Sequence, residues 1–500
     1  MVDPAKFERS DERQKWEWSR DEIKRVGYRV VDLIAGYLAD LPQQPVFRPF
    51  PKENAEKYLA SGVPEVGESV DEILNVFEKE IAPFPFGNGH PRFFGWVNSP
   101  PVVIGIFAEA LAAAMNPSCA GGNHAAIYVE RQIINWFKQM VGFPTEAMGL
   151  LVSGGSMAAL TALTVARHAK CGFDVRSAGL QAAPERLVFY RTQETHGCHQ
   201  KAIELLGIGR ENFRIVPHNE ALQMDAAALD KLIDEDIRQG LKPIAVVASA
   251  GTVNTGAIDP LDQIADVCVA HNVWLHVDGA YGIPAIVSGQ YNSALAAISR
   301  ANSLALDPHK WLYVPVEAGM VLVRDAEAMR AAFSLVPPYL RTDGRVEGVG
   351  GLPWFSEYGY QQTRSFRALK LWMSLRYHGV AGYRQAIEHD IALAQCLAAE
   401  IRASRDFELH EPQSLSIVCF RYVPSDKKLG PQELDSLNKT LLEKLQLGGS
   451  VFLSSTVLNS RFWLRACVVN PRSQEHDVSR ILQVMRETAV YGGGIDASKI

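Results

Sequence analysis

Nothing in this sequence carries a strong charge of one sign. Its 50 lysines and arginines stand against 56 aspartates and glutamates, a formal charge of -6 over 500 residues. No basic cluster breaks that balance, which argues against a nucleic-acid partner or an anionic membrane surface. Long apolar runs are missing as well. None approaches the ~20 residues of a membrane span, and the opening Met1-Val2-Asp3-Pro4-Ala5-Lys6 lacks the apolar core of a secretory signal. The expectation is a cytoplasmic protein. Cysteines are few, seven in all, odd in number and never spaced C-x-x-C, so reduced structural thiols are expected rather than a disulfide framework. His196-Gly197-Cys198-His199 has the look of a ligand pair, but no second pair stands at finger spacing, and no metal is expected. The Walker lysine loop and G-x-G-x-x-G are both lacking, which disfavours a nucleoside triphosphate or a dinucleotide.

What is present is enough apolar sequence, 47%, to bury a large core in two or three domains. Residues 1–85 hold an amphipathic stretch, with Ile23, Val26, Val30, Ile34 and Tyr37 at three- and four-residue steps, followed by a Pro-rich connector from Pro42 to Pro51. That face cannot be buried by its own segment. In residues 86–382, apolar strands such as Leu187–Tyr190, Ile244–Ala248 and Gly319–Val323 alternate with helical stretches, the pattern of a mainly parallel, doubly wound α/β sheet. Residues 383–500 read as a smaller α+β domain, with strands at Ser416–Phe420 and Phe462–Ala466.

Three local features point to chemistry. Leu304-Ala305-Leu306 delivers Lys310 onto a turn, Asp307-Pro308-His309-Lys310-Trp311. A lysine at the end of a buried strand is costly unless used, and desolvation is expected to lower its pKa toward the free, nucleophilic amine. A snorkelling surface lysine is the plain alternative. Upstream, Val273–Val277 ends in Asp278-Gly279-Ala280-Tyr281. Ligands of open α/β sheets sit at such carboxyl ends, although a helix N-cap would also explain the acid. Earlier still, Leu150-Leu151-Val152 runs into Ser153-Gly154-Gly155-Ser156 at the start of an Ala- and Leu-rich helix, whose amides suit a phosphate. Phosphate cradle, acid and lysine, in that order along the chain, are what pyridoxal phosphate needs: a carboxylate to keep the pyridine nitrogen protonated and a lysine to hold the aldehyde as a Schiff base.

With these residues the chain resembles the group II pyridoxal-phosphate-dependent amino acid decarboxylases. The likeness runs through His90-Pro91-Arg92-Phe93-Phe94, Gly154-Gly155-Ser156, Thr195-His196, Gly251-Thr252, His276–Tyr281, the lysine pentapeptide, Pro338-Tyr339-Leu340 and Arg364–Trp372. The aromatic amino acid branch looks nearest. The resemblance implies a homodimer of the aspartate-aminotransferase-like fold (fold type I), with a seven-stranded, mainly parallel sheet. It implies that Lys310 carries the cofactor, Asp278 pairs with its ring nitrogen, His196 stacks on one ring face and Ala280 lies against the other. Gly155, Ser156 and Ser303 match phosphate contacts, Thr252 lies near the ring substituents, and His309 meets substrate or phosphate. Tyr339, on a Pro- and Arg-rich loop, matches the tyrosine that returns the proton to the α-carbon.

The chain departs from the aromatic branch at several places. Asp307 stands where asparagine is usual, and a carboxylate beside a phosphate would be repelled unless turned away or paired, for instance with an arginine. Trp96 and Ser99 replace a tyrosine and a threonine near the substrate, Thr363 replaces glycine or serine, and Gly121–Glu130 replaces a Ser-Pro-Ala-type segment. The expected activity is decarboxylation of an L-amino acid, aromatic first, to the amine and carbon dioxide. A non-aromatic decarboxylase and an aldehyde synthase on the same scaffold are the alternatives, with an aminotransferase-type reaction behind them. A scaffold that had lost its chemistry would be expected to lack Lys310 or Asp278.

Overall fold

The computed structural model describes residues 16–335, 352, 354–426 and 428–491. Seven strands form the main sheet: β1 Met148–Val152, β2 Arg186–Arg191, β3 Phe213–Ile215, β4 Leu241–Ser249, β5 Trp274–Asp278, β6 Ser303–Leu306 and β7 Gly319–Val323. Their spatial order is β1-β7-β6-β5-β4-β2-β3. β7 runs antiparallel to β1 and β6, and the pairs from β6 through β3 are parallel. The carboxyl ends of six strands therefore share one edge. β4 and β5 are buried almost throughout, as continuous apolar runs require when helices cover both faces of a parallel sheet. The helix Gly155–Lys170 lies over the sheet from β4 to β7 and carries a row of buried small residues, including Ala158, Ala159, Ala162 and Ala166.

A second, antiparallel sheet comprises β8 Phe407–Leu409, β9 Ile417–Tyr422, β10 Ser454–Leu458 and β11 Arg461–Cys467, in the order β10-β11-β9-β8. It has its own apolar core, in which Phe420 and Leu464 meet Leu445 and Ile481 of the helices Pro431–Gly448 and Glu475–Tyr491. The long helix Ala368–Ala403 joins the two cores. Leu371 and Leu375 pack into the large one, Leu397 and Ile401 into the small one. Gly379 breaks its path at φ +64, a left-handed conformation that glycine adopts without strain.

This helix also anchors the turn after β6. The Trp311 indole donates to Asp390 Oδ2 at 2.9 Å and the Tyr313 hydroxyl to the same oxygen at 2.7 Å, while Trp311 stacks on Tyr281. Burial pushes the Asp390 carboxyl up to about 7. A folded-state pKa above the unfolded value adds stability at acid pH that is lost as pH rises to the folded pKa. Wild type is thus expected to lose stability relative to Asp390→Asn between about pH 4 and pH 7, and thermal melts of both proteins across that window check it.

Candidate active site

Five turns at the shared carboxyl edge enclose a cavity of about 260 Å3. β1 contributes Ser153 to Ser156, β2 leads to Glu194 and His196, β4 ends in Ser249 ahead of Gly251 and Thr252, β5 supplies Asp278 and Ala280, and β6 supplies Asp307, His309 and Lys310. Parallel strands make this edge the place where side chains from distant parts of the chain meet.

The β1 turn forms an anion-binding end. Gly154 caps the helix Gly155–Lys170 at φ +142, and no side chain satisfies the first amides. Room there is created by the absence of side chains. A Cβ on Gly155 would fall 2.8 Å from Asp307 Oδ2, and one on Gly319 at the start of β7 would fall 2.4 Å from the Gly154 Cα. The end of β1 is held by Glu130 and Arg364, a wholly buried ion pair. Arg364 also donates to the carbonyls of Leu151 at 2.6 Å and Cys119 at 2.8 Å, and Glu130 accepts from the Leu151 amide at 3.1 Å.

Asp278 accepts the Ala280 amide on Oδ1 at 3.0 Å. Burial pushes its pKa up, but His199, that amide and Lys310 outweigh burial and hold the carboxyl below its ordinary value, so it is ionised near neutral pH. His196 is the N-cap of the helix Gly197–Leu205, its Nδ1 accepting from the Cys198 amide at 3.2 Å, which leaves the proton on Nε2. Burial lowers the pKa of His196 and of His309, favouring the neutral rings.

Lys310 corrects an expectation. Burial does push its pKa down, but Asp307, with Oδ2 at 3.1 Å, and Asp278 together raise it above the ordinary lysine value. The lysine is charged and paired with Asp307. Asp307 accordingly finds its cation in Lys310, three residues on, rather than in an arginine, while its Oδ1 is buried without a partner among the described residues.

Gly155, Ser156, His196, Thr252, Asp278, Ala280, His309 and Lys310 all line the cavity. Ser303 does not. It opens β6 at the opposite end of the strand, and its buried hydroxyl is committed to the Trp274 indole at 2.8 Å and His276 Nδ1 at 2.9 Å. Trp96 is also elsewhere, half exposed and stacked on Phe86. Ser99 donates to the His309 carbonyl at 2.9 Å, supporting the turn instead of facing the cavity, and Thr363 lies on the surface of the single chain. Tyr339 falls outside the described residues. Sequence reasoning overlooked Glu194, whose carboxyl is pushed up by burial and accepts from Asn254 Nδ2 at 3.0 Å. Its place in the same turn as His196 was the available signal. His199 was weighed only as a metal ligand, whereas it faces Asp278.

The cavity fits pyridoxal phosphate: an uncapped helix end whose glycines leave room, an ionised carboxylate at the end of β5, a half-buried lysine amine, and a small alanine and a histidine ring among the lining residues. That set defines a pyridoxal-phosphate enzyme of fold type I. The family model described as the pyridoxal-dependent decarboxylase conserved domain matches residues 51–423. An aromatic-L-amino-acid decarboxylase of Bacillus atrophaeus is 37% identical over 474 residues, covering 94% of this chain and 96% of that protein. The crystal structure of Oryza sativa TDC with PLP and tryptamine superposes with a TM-score of 0.88 at 26% identity, covering 95% of this chain and 99% of the other. A phenylacetaldehyde synthase of Arabidopsis thaliana is 26% identical over 480 residues, 94% of this chain and 96% of that protein. The chain belongs to the pyridoxal-dependent decarboxylase family. It is a pyridoxal-phosphate-dependent amino acid decarboxylase, a carboxy-lyase.

Proposed function

We propose that this enzyme decarboxylates an aromatic L-amino acid to the corresponding amine. The observation that carries the reading is the convergence of Lys310, Asp278 and His196 beside an uncapped helix end in one cavity, in a chain whose relative from Bacillus atrophaeus is an aromatic-L-amino-acid decarboxylase. When bound, pyridoxal phosphate supplies an electron sink for the pair left on the α-carbon as carbon dioxide departs. The Gly155 and Ser156 amides hold the phosphate end. Asp278 would hold a proton on the ring nitrogen, the His196 ring would cover one face, and the Lys310 amine would hold the aldehyde carbon. His309 stands where it can meet the substrate carboxylate.

Two copies of the chain make the working unit in this reading. The helix Arg20–Asp40 buries Val26, half covers Leu33, Ile34 and Leu38, and leaves Ile23, Tyr28 and Val31 exposed. The helix Val103–Met115 exposes a stripe of Val103, Phe107, Leu111 and Met115 at four-residue steps. Uncovered stripes of this kind mark association surfaces. Trp96 and Thr363, away from the cavity of the single chain, are assigned to substrate contacts completed in that dimer. The seven cysteines are free thiols, which supports a cytoplasmic setting. No described helix is long and apolar enough to cross a membrane.

The test is a panel of L-amino acids with released carbon dioxide as readout. Turnover of tryptophan, tyrosine or phenylalanine supports the reading, and turnover confined to glutamate, histidine or aliphatic substrates overturns it. The aldehyde-synthase alternative is decided at Tyr339, to which we assign the proton delivered to the α-carbon. Tyr339→Phe is expected to bind cofactor and release carbon dioxide, but to divert product from amine to aldehyde. That route consumes dioxygen and water and yields ammonia and hydrogen peroxide with the aldehyde and carbon dioxide. Unchanged amine yield without peroxide would remove Tyr339 from the mechanism.

A further inference from the structure

We propose that His199 is a positioning residue that holds Asp278 ionised and turned toward the cofactor ring, an inference that rests on the pyridoxal-phosphate reading of the site. His199 is completely buried in the first turn of the helix capped by His196. Its Nδ1 lies 3.1 Å from the His196 carbonyl and 3.7 Å from Asp278 Oδ2. A carbonyl only accepts, so Nδ1 carries the hydrogen and donates it to that carbonyl, while Asp278 Oδ2 at 3.7 Å is in electrostatic reach of the same edge of the ring. Nε2 is buried without a partner among the described residues.

The groups behind Asp278 support the assignment. His276 of β5 packs 5.5 Å from the His199 ring, with its Nδ1 2.9 Å from the Ser303 hydroxyl, which accepts the Trp274 indole hydrogen. Burial pushes His276 down to about 3, so it is a neutral wall. The other ionisable groups around the carboxylate are Lys310 and Asp307 from the turn after β6, and His196 and Cys198 from the helix of His199 itself. With Oδ1 taken by the Ala280 amide, Oδ2 has His199 as its near polar neighbour on the protein side. One helical turn thus carries both the ring-covering histidine and the support of the acid.

Asparagine and glutamine at 199 separate this role from packing, because the Asn amide reaches the place of Nδ1 and the Gln amide that of Nε2. In the full-length protein, His199→Leu and His199→Gln are expected to raise the Kd for pyridoxal 5'-phosphate roughly 10- to 100-fold. They should also shift the pH titration of bound-cofactor absorbance by about one unit or more and lower kcat with little change in KM. His199→Asn should restore most of each, and His199→Leu should add little in an Asp278→Asn background. If His199→Leu does not fold, the Asn and Gln variants carry the comparison. Equal behaviour of Asn and Gln, or a Leu variant that binds and titrates as wild type, would overturn the role of His199 while leaving the cofactor reading intact. Wild type that binds no pyridoxal phosphate would overturn both.

Discussion

Lys310→Ala abolishes steady turnover, a fall in kcat of more than roughly 1,000-fold, because among the described residues no other side chain lining the cavity offers a primary amine to tether the cofactor. The visible absorbance of the lysine-linked cofactor disappears with it. Removing Lys310 also takes the cation from Asp307, whose Oδ2 it meets at 3.1 Å and whose Oδ1 is already without a partner among the described residues. Breaking a buried pair from one side costs about 3–5 kcal/mol when the remaining charge cannot be neutralised, so loss of activity in the Ala protein could reflect loss of fold. Lys310→Arg separates the two. It keeps a cation beside Asp307 and cannot form the tether, so the expected Arg protein melts near wild type, lacks the visible band and is inactive. Retained band and turnover in either variant would refute the assignment of the lysine.

How far the sequence foretold this site depended on how local each determinant is. Lys310, Asp278 and Gly155 each end or follow a short apolar run, so the strand placing them and the turn presenting them lie within a few residues, and each was legible. The charge state of Lys310 was not. Desolvation alone predicts a lowered pKa, and the sign reverses only because the turn folds Asp307 back onto the amine and β5 sets Asp278 nearby. Ser303 was misplaced for a related reason: a resemblance aligns residues in order, but the hydroxyl at the start of β6 is captured by Trp274 and His276 of the neighbouring strand. The reversed direction of β7 left no trace in its composition, since Gly319–Val323 is as apolar as the parallel strands. Glu194 and His199 were hidden by identity. A glutamate in a turn and a histidine in a helix are ordinary until burial and distance show what each faces.

Asp278→Asn tests the electrostatic half of the mechanism. The carboxylate stays ionised against the cost of burial because His199, the Ala280 amide and Lys310 together favour the charge, and an ionised group there stabilises a proton on the ring nitrogen. An amide cannot do so. Each pKa unit lost at that nitrogen is worth about 1.4 kcal/mol, a factor of about ten, and a loss of two to three units lowers kcat roughly 100- to 1,000-fold. The Asn side chain also meets the Ala280 amide, which donates at 3.0 Å. Its oxygen must turn to that donor, and its NH2 then faces the ring nitrogen as a competing donor. Cofactor is still tethered through Lys310, so the expected protein shows a visible band, bound pyridoxal phosphate and slow carbon dioxide release, with KM changed far less than kcat. Near-normal turnover with cofactor bound would mean that another group protonates the ring, and the assignment of Asp278 would fall.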